Sequence, residues 1–199
     1  MPSPSRVNAP AGNAGRARLR PPVFILAGGA SGEDAASNAA ASRLFVAAFS
    51  GISGTLISGG TTSGIAGIAG EVAAAHPGIA ALGYLPRTLP GGAKRDRRYA
   101  GFRTTRAGEF SVAECLAYWE DLVEAGVPPG AVKLLGWGGG PIAALEYRVA
   151  VALGARVGLV SGSGRAADAM ARERAWSRSA NLRFLGCHAR AVRAFLASR

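Results

Sequence analysis

Residues 132–141 read VKLLGWGGGP, a short apolar run that ends in three glycines and a proline. A run of this kind without polar alternation is typical of a strand that is buried on both faces of a parallel sheet. The proline suits the first position of a helix, where its missing N–H removes no hydrogen bond. The stretch therefore predicts a strand, a tight turn and a helix in succession, which is the repeating unit of α/β folds.

Three further segments have the same arrangement of an apolar run followed by glycines and small polar residues. They read VFILAGGASG at 23–32, TLISGGTTSG at 55–64 and VGLVSGSG at 157–164. Two more apolar runs, at 79–84 and 182–185, predict strands without such a turn. Five to six buried strands that alternate with helices predict a Rossmann-like three-layer α/β sandwich with a mostly parallel sheet.

Two of the intervening helices have clear boundaries. Ser111 and Glu114 form an S-x-x-E capping box at the start of one helix, which ends at Gly126. Its predicted apolar face consists of Val112, Cys115, Leu116, Trp119, Leu122 and Val123. The other helix begins at Pro141 and ends at Gly154. The residues predicted to pack it on the sheet are Ile142, Leu145, Val149 and Leu153.

The chain has 199 residues and a formal net charge of +11. This length fits one domain, and we predict a flexible basic tail over 1–21 followed by a single domain over 22–199. Arginine and lysine concentrate in the tail, in 87–106 and in 165–199. Because the excess positive charge lies outside the predicted core, the sequence disfavours nucleic acid as the main partner.

The hydrophobic pattern also bears on location and cofactors. No apolar run approaches the roughly 20 residues of a membrane-spanning helix, and the N-terminus has no hydrophobic signal region. Cys115 and Cys187 are the two cysteines, and neither has the spacing of a metal ligand. We therefore predict a cytoplasmic protein that binds no membrane, no metal and no cofactor.

All four glycine-rich turns follow parallel strands, so they are predicted to lie together outside the carboxyl ends of the sheet, where open α/β folds bind ligands. Glycine lets a phosphate approach the backbone, and the N–H groups at the start of the next helix attract anions. Four such turns on one edge predict a site for an anionic ligand. The residues assigned to this site are Gly28, Gly29, Ser31, Gly59, Gly60, Thr61, Thr62, Gly64, Gly138, Gly139, Gly140, Ser161 and Ser163.

Residues 87–110 have neither helical nor strand periodicity, and they follow the third predicted strand at the same edge. Long loops of this kind often serve as lids or binding loops. An aromatic ring there can stack on a base while an arginine pairs with a phosphate. The candidate lid residues are Tyr84, Arg97, Arg98 and Tyr99. A solvated basic loop is the alternative.

Four stretches resemble a known superfamily: AGGASG at 27–32, LISGGTTSGIAGIAGEVA at 56–73, GYLPRTLP at 83–90 and the segment 110–167. They are similar to the prokaryotic branch of the SLOG superfamily, which is related to the N-terminal SLOG domain of melastatin-type TRP channels. The resemblance covers about residues 22–195. It implies a Rossmann-like domain that senses a nucleotide-derived ligand, which is ADP-ribose-like in the channel relatives.

The same superfamily contains the LOG-type phosphoribohydrolases, which cleave the base from a nucleoside monophosphate and carry a pattern similar to G-G-x-G-T-x-x-E. Residues 139–146 read GGPIAALE, so the two glycines and Glu146 match. Ile142 and Ala143 replace the glycine and threonine that line the phosphate in those enzymes. The resemblance makes Glu146 a candidate ligand residue, and a catalytic residue only if the chain is an N-glycosidic hydrolase.

Three hypotheses stay open on the sequence: a sensor of a nucleotide or ADP-ribose-like molecule, an N-glycosidic hydrolase acting on nucleotides, and a nucleic-acid-binding protein. Intact glycine turns and an altered hydrolase pattern favour the sensor, so we predict ligand binding without catalysis. The predicted partner is a nucleotide-derived small molecule. Self-association and a separate effector protein are both compatible with the sequence.

Overall fold

The computed structural model describes residues 19–29 and 35–198, in which a seven-stranded sheet lies between two layers of helices. The strands are β1 (Val23–Gly28), β2 (Gly54–Ser58), β3 (Ile79–Leu85), β4 (Gly101–Thr104), β5 (Val132–Trp137), β6 (Arg156–Val160) and β7 (Leu182–Leu185). The helices are α1 (Ala35–Ala48), α2 (Gly64–Ala75), α3 (Val112–Glu124), α4 (Pro141–Ala152), α5 (Arg165–Arg172), α6 (Arg174–Ser177) and α7 (Ala189–Ala197). The predicted Rossmann-like three-layer α/β architecture is confirmed.

All strand pairs of this sheet are parallel, and the strand order is β4-β3-β2-β1-β5-β6-β7. The chain moves outward from β1 to β4 and then returns through α3 to the other side of β1. The direction of the strand order therefore reverses between β1 and β5. Ligands of open α/β sheets bind in the crevice that such a reversal leaves at the carboxyl ends of the strands.

The fourth strand was not predicted, because it lies in the segment 87–110, where the sequence has no strand pattern. It has four residues and pairs with β3 at the edge of the sheet. Three of these residues are half-buried and the last is exposed, so the strand needs no continuous apolar run. The sheet therefore has seven strands instead of the expected five to six.

Each face of the sheet has its own hydrophobic core. Ile25 of β1 belongs to the core formed with α3 and α4, whereas Phe24 and Leu26 belong to the core formed with α1, α2 and α7. Because both faces of β1 are covered, its sequence shows no alternation of polar and apolar residues. This is the physical reason why the uninterrupted apolar runs identified the strands.

The predicted sheet-facing side of α4 is wrong. Most of the residues assigned to it lie on the surface. Those that are 43–46% exposed are Ile142, Leu145 and Leu153. The side that faces the sheet consists of Ala143, Tyr147, Ala150 and Val151. The ring of Tyr147 covers Gly136 of β5, at which a Cβ would lie 2.8 Å from the ring, so the glycine makes room for the ring on this side of the sheet.

The apolar face of α3 is correct only in part. Cys115, Trp119 and Leu122 are buried as predicted. Leu116 and Val123 lie outside the core and are 55% and 67% exposed. Tyr118, which was not assigned to this face, is buried in their place. The helix itself begins at the predicted capping box, since Ser111 and Glu114 form both of its hydrogen bonds.

The chain contacts the domain before β1 begins. Leu19 packs against the core on the α3 side. The N–H of Arg20 donates to the hydroxyl of Thr55 at 2.7 Å, and the N–H of Thr55 donates to the carbonyl of Arg20 at 3.1 Å. Residues 1–18 of the predicted tail lie outside the described part of the chain.

Across 19–29 and 35–198, no helix combines the length and the apolar character that crossing a bilayer requires.

Candidate functional site

A cleft of about 290 Å³ opens at the carboxyl ends of the central strands, where the strand order reverses. The glycines and polar residues of its lining are Gly28, Gly29, Ser58, Gly59, Thr61, Ser111, Glu114, Gly140, Glu146 and Arg165. The apolar and aromatic residues of the lining are Leu26, Ala27, Ile65, Ala66, Tyr84, Phe110, Cys115, Tyr118, Pro141, Ile142 and Ala143. A mostly apolar lining with a few polar groups is typical of small-molecule sites.

Three strand ends bring predicted ligand residues into this cleft. The ones that line it are Gly28, Gly29, Gly59, Thr61, Gly140 and Glu146. The turns after β1 and β2 are joined directly, because the N–H of Ile65 donates to the carbonyl of Gly29 at 3.0 Å. A Cβ at Gly28 would collide with the carbonyl oxygen of Trp137, so glycine is needed for the close approach of β1 and β5. Ser31 lies outside the residues that the structure describes.

The remaining predicted ligand residues of the turn after β2, which is the second glycine-rich turn in chain order, do not line the cleft. Gly60 has φ +73°, and a Cβ there would lie 3.0 Å from the Cα of Gly83 on β3. The N–H of Thr62 donates to the carbonyl of Lys94 at 3.0 Å. Gly64 has φ +53° and begins α2. These residues shape the turn and attach it to the neighbouring segment.

Gly138 and Gly139 are buried and do not belong to the cleft lining. Their carbonyls accept hydrogen bonds from the first turn of α5: Ala167 donates to Gly138 at 3.0 Å, and Ala166 donates to Gly139 at 3.1 Å. A Cβ at Gly139 would lie 2.6 Å from the Cβ of Ala143 on α4. The two glycines therefore serve the packing between the third turn, α4 and α5.

The fourth turn is occupied by the chain itself. The carboxylate of Asp168 accepts hydrogen bonds at 2.9 Å from the N–H groups of both Gly162 and Gly164. The hydroxyl of Ser163 donates to the carbonyl of the last residue of β6 at 2.6 Å. Neither Ser161 nor Ser163 lines the cleft. The carboxylate of Asp168 therefore binds the backbone N–H groups that the sequence predicted to bind an anionic ligand.

The predicted lid is attached to the domain by buried contacts. Asp96 is 2% exposed, and its carboxylate accepts hydrogen bonds of 2.6–3.1 Å from the Arg98 guanidinium. The hydroxyl of Tyr99 donates to the carbonyl of Ala66 at 2.7 Å. Arg97 is exposed and lies outside the lining. Tyr84 is the predicted lid residue that lines the cleft, and its hydroxyl donates to Asp121 at 2.8 Å.

Glu146 is a half-buried carboxyl group in the wall of the cleft. The hydroxyl of Tyr118 donates to its Oε1 at 2.8 Å. Removal from water raises the pKa of Glu146 to about 7, and the hydrogen bond from Tyr118 offsets part of this rise. Near neutral pH, the carboxyl group is therefore present in both its protonated and its ionised form.

The Cys115 thiol and the Tyr118 hydroxyl, both on α3, stay uncharged over this pH range. The hydroxyl of Tyr118 lies 3.3 Å from Sγ of Cys115. Burial and then the charge of Glu146 raise the pKa of the Cys115 thiol to about 12. The same two causes raise the pKa of Tyr118 well above its ordinary value. Of these three side chains, Glu146 is the one that titrates near neutral pH.

Two site residues on α3 were missed although the sequence carried a signal for each. The capping-box pattern indicates only a helix cap at Glu114, yet this residue also accepts a hydrogen bond from the Thr105 hydroxyl and lines the cleft. Tyr118 lies three residues after Cys115 and four before Leu122, which places it on the same helical face. A helical pattern that counts tyrosine among the apolar residues places Tyr118 on the buried face.

Arg165 was missed for a different reason. It follows the fourth turn at the start of α5 and has φ +49°. One guanidinium nitrogen lies 3.3 Å from where a Cβ of Gly140 would be. The packing of α5 against the third turn brings this cation to the cleft, and no pattern in the sequence signals that contact.

No family model and no curated protein matches this chain. The molybdenum cofactor carrier protein of Chlamydomonas reinhardtii is similar in structure, with a TM-score of 0.61 and 17% identity over 89% of this chain and 99% of that one. TM1055, a structural-genomics target, has a TM-score of 0.64 and 13% identity over 87% of this chain and 97% of its own. These similarities show a common fold.

Proposed function

We propose that this chain binds a nucleotide-derived small molecule in the cleft at the ends of β1, β2 and β5. The observation that carries the proposal is the convergence of three glycine-rich turns, through Gly29, Gly59 and Gly140, on one mostly apolar cleft. A protein of the same fold is named as a carrier of the molybdenum cofactor, which supports a small-molecule ligand.

The lining suits a ligand that has an anionic and an uncharged part. Arg165 supplies a cation beside Gly140, the N-cap of α4. The first N–H groups of a helix have no acceptor within the helix, and together with an arginine they favour phosphate. The aromatic residues Tyr84 and Phe110 favour an uncharged ring in the same cleft.

The size of the cleft bears on which part of the ligand it holds. Small-molecule sites generally span roughly 300–1,000 Å³, so a cleft of about 290 Å³ is at the lower end of that range. It suits a nucleoside-sized portion, and the rest of a dinucleotide-like molecule would extend beyond it. The resemblance to melastatin-type channel domains leads us to propose an ADP-ribose-like molecule or a nucleotide second messenger, sensed by the domain over 22–199.

A thermal-shift screen tests this proposal. AMP, ADP, NAD and ADP-ribose are each added to the purified chain, with ribose 5-phosphate and inorganic phosphate as ring-free controls. A ligand that binds only the folded state must raise the Tm. We expect at least one of the four nucleotides to raise it and to bind in calorimetry at one site per chain. Unchanged Tm values with all four at millimolar concentration would contradict the proposal.

The alternative function is N-glycosidic hydrolysis, and one observation favours it. A carboxyl group with a pKa of about 7 is suited to act as a general acid, and Glu146 is such a group. In this reaction water adds to C1′ of the ribose, the bond to the base breaks, and Glu146 protonates the departing base nitrogen. The proton that the water loses then returns the Glu146 carboxylate to its acid form. Because Ile142 and Ala143 stand where the hydrolases have glycine and threonine, we expect no free base from AMP on chromatography. Steady base release that is lost in Glu146→Gln would establish the enzyme instead.

A further inference from the structure

The carboxyl group of Glu146 has one oxygen engaged and one oxygen available to a ligand. Oε1 accepts from Tyr118 at 2.8 Å, and Oε2 has no hydrogen bond to any described residue. Within the described part of the chain, Oε2 is not among the fully buried side-chain oxygens that lack a hydrogen bond, so it is in contact with accessible space. Since Glu146 lines the cleft, that space is the ligand site.

The groups around Glu146 determine which form of its carboxyl is favoured. Among the described residues, the other titratable or charged side chains of the lining are Glu114, Cys115 and Tyr118 on α3, Tyr84 on β3, and Arg165 at the start of α5. Cys115 and Tyr118, whose pKa values are raised, are neutral at pH 7 and supply no counter-charge. Burial of Glu146 in the wall of the cleft therefore favours the neutral carboxyl group.

The cleft also presents flat apolar surfaces beside Glu146. Phe110 lines it next to the second turn, where a Cβ at Gly59 would lie 3.9 Å from the phenyl ring. Tyr84 and Tyr118 form an edge-to-face pair with ring centroids 5.7 Å apart. Aromatic walls of this kind bind planar rings, and a protonated carboxyl group adds one hydrogen-bond donor.

We infer that the cleft binds an uncharged heteroaromatic ring, and that Glu146 in its protonated form donates a hydrogen bond through Oε2 to a ring nitrogen or ring carbonyl. This inference rests on the proposed function and names the part of the ligand that lies deepest in the site. Tyr118 holds Oε1 and so orients the proton-bearing oxygen toward the cleft. A carboxylate would offer only acceptors to that ring position.

Such a contact makes binding depend on pH in one direction. Ligand affinity is proportional to the fraction of chains in which Glu146 keeps its proton. With a pKa of about 7 for Glu146, affinity is nearly constant below that pH and falls about tenfold for each pH unit well above it. Between pH 6.0 and pH 8.5, the expected loss is about thirtyfold.

The test uses neutral ring compounds so that the ligand itself does not titrate. Adenosine, cytidine and nicotinamide are uncharged between pH 6.0 and pH 8.5, and ADP-ribose is included as the probe of the proposed function. Dissociation constants are measured by calorimetry at both pH values for the wild type and for Glu146→Gln, in which the amide keeps a donor at all pH values. Glu109→Gln is the matched control, because Glu109 is an exposed acid outside the cleft lining.

The expected result is that at least one neutral ring compound binds the wild type about thirtyfold more weakly at pH 8.5 than at pH 6.0. Glu146→Gln should bind it about equally at both pH values, and Glu109→Gln should behave as the wild type. Three results would overturn the inference while leaving the proposed function intact: ADP-ribose binding without any neutral ring compound, pH-independent binding by the wild type, or loss of binding in Glu146→Gln at both pH values. No binding of any probe would overturn both.

Discussion

Asp96 places its carboxylate directly over Gly70 of α2, in the space that a Cβ on that glycine would occupy. Burial raises the pKa of Asp96, but hydrogen bonds and charge from Arg98 outweigh this effect, so the pKa lies below its ordinary value. The ionised carboxylate and its arginine therefore hold the segment around residue 96 against α2. This explains why the basic loop is packed on the domain where the sequence suggested a lid.

We expect Gly70→Ala to lower the free energy of unfolding by about 2 kcal/mol, because the methyl group displaces a buried, paired carboxylate. The higher helix propensity of alanine, up to about 1 kcal/mol, offsets only part of this loss. Urea unfolding measures the change. Gly108→Ala is the control, since a Cβ at Gly108 has nothing within 4 Å. Equal stabilities of the two variants would contradict the assigned role of the contact.

A charge at the cleft should weaken ligand binding without loss of the fold. Ile142 lines the cleft and is 44% exposed, whereas Leu145 on the same helix is 43% exposed and lies outside the lining. We expect Ile142→Glu to weaken an anionic nucleotide about tenfold, or about 1.4 kcal/mol. Leu145→Glu should leave the affinity unchanged, and calorimetry compares the two. An equal loss in both variants would place the ligand elsewhere.

The stability of the chain should fall with rising pH through Glu146. Below pH 4.5 this carboxyl is protonated in both the folded and the unfolded state. Between pH 4.5 and pH 7 the unfolded chain loses the proton while the folded chain keeps it. We expect Glu146→Gln to be more stable than the wild type by about 3 kcal/mol at pH 8, with a much smaller difference at pH 4. Denaturant unfolding at both pH values measures this, and a constant difference would show that the pKa of Glu146 is not raised.

Tyr118→Phe should raise the pKa of Glu146 above that in the wild type, because the hydroxyl that stabilises the ionised form is removed. The side-chain carboxyl resonance of carbon-13-labelled glutamate reports the titration directly. Tyr84→Phe is the matched control, since Tyr84 lines the same cleft but donates to Asp121. A titration midpoint that stays in place or moves down in Tyr118→Phe would contradict the assigned hydrogen bond.

The candidate site was predictable where backbone geometry decides it. Gly29, Gly59 and Gly140 follow strands whose parallel order forces their ends onto one edge. Ser163 and Arg98, which the sequence also assigned to the site and its lid, have internal partners: a backbone carbonyl for the serine and Asp96 for the arginine. A polar residue in the right turn binds a ligand only if the folded chain leaves its hydrogen-bonding groups unused.

The sequence by itself determined the α/β class, six of the seven strands and the start of α3. Buried parallel strands need unbroken apolar runs, and a helix start needs its own local cap. Only the tertiary structure decided which side of α4 is buried. That helix has two apolar stripes, and the stripe that carries Tyr147 faces the sheet because Gly136 leaves room for its ring. Complementary shape between a helix and its sheet depends on both partners at once, so neither segment alone encodes it.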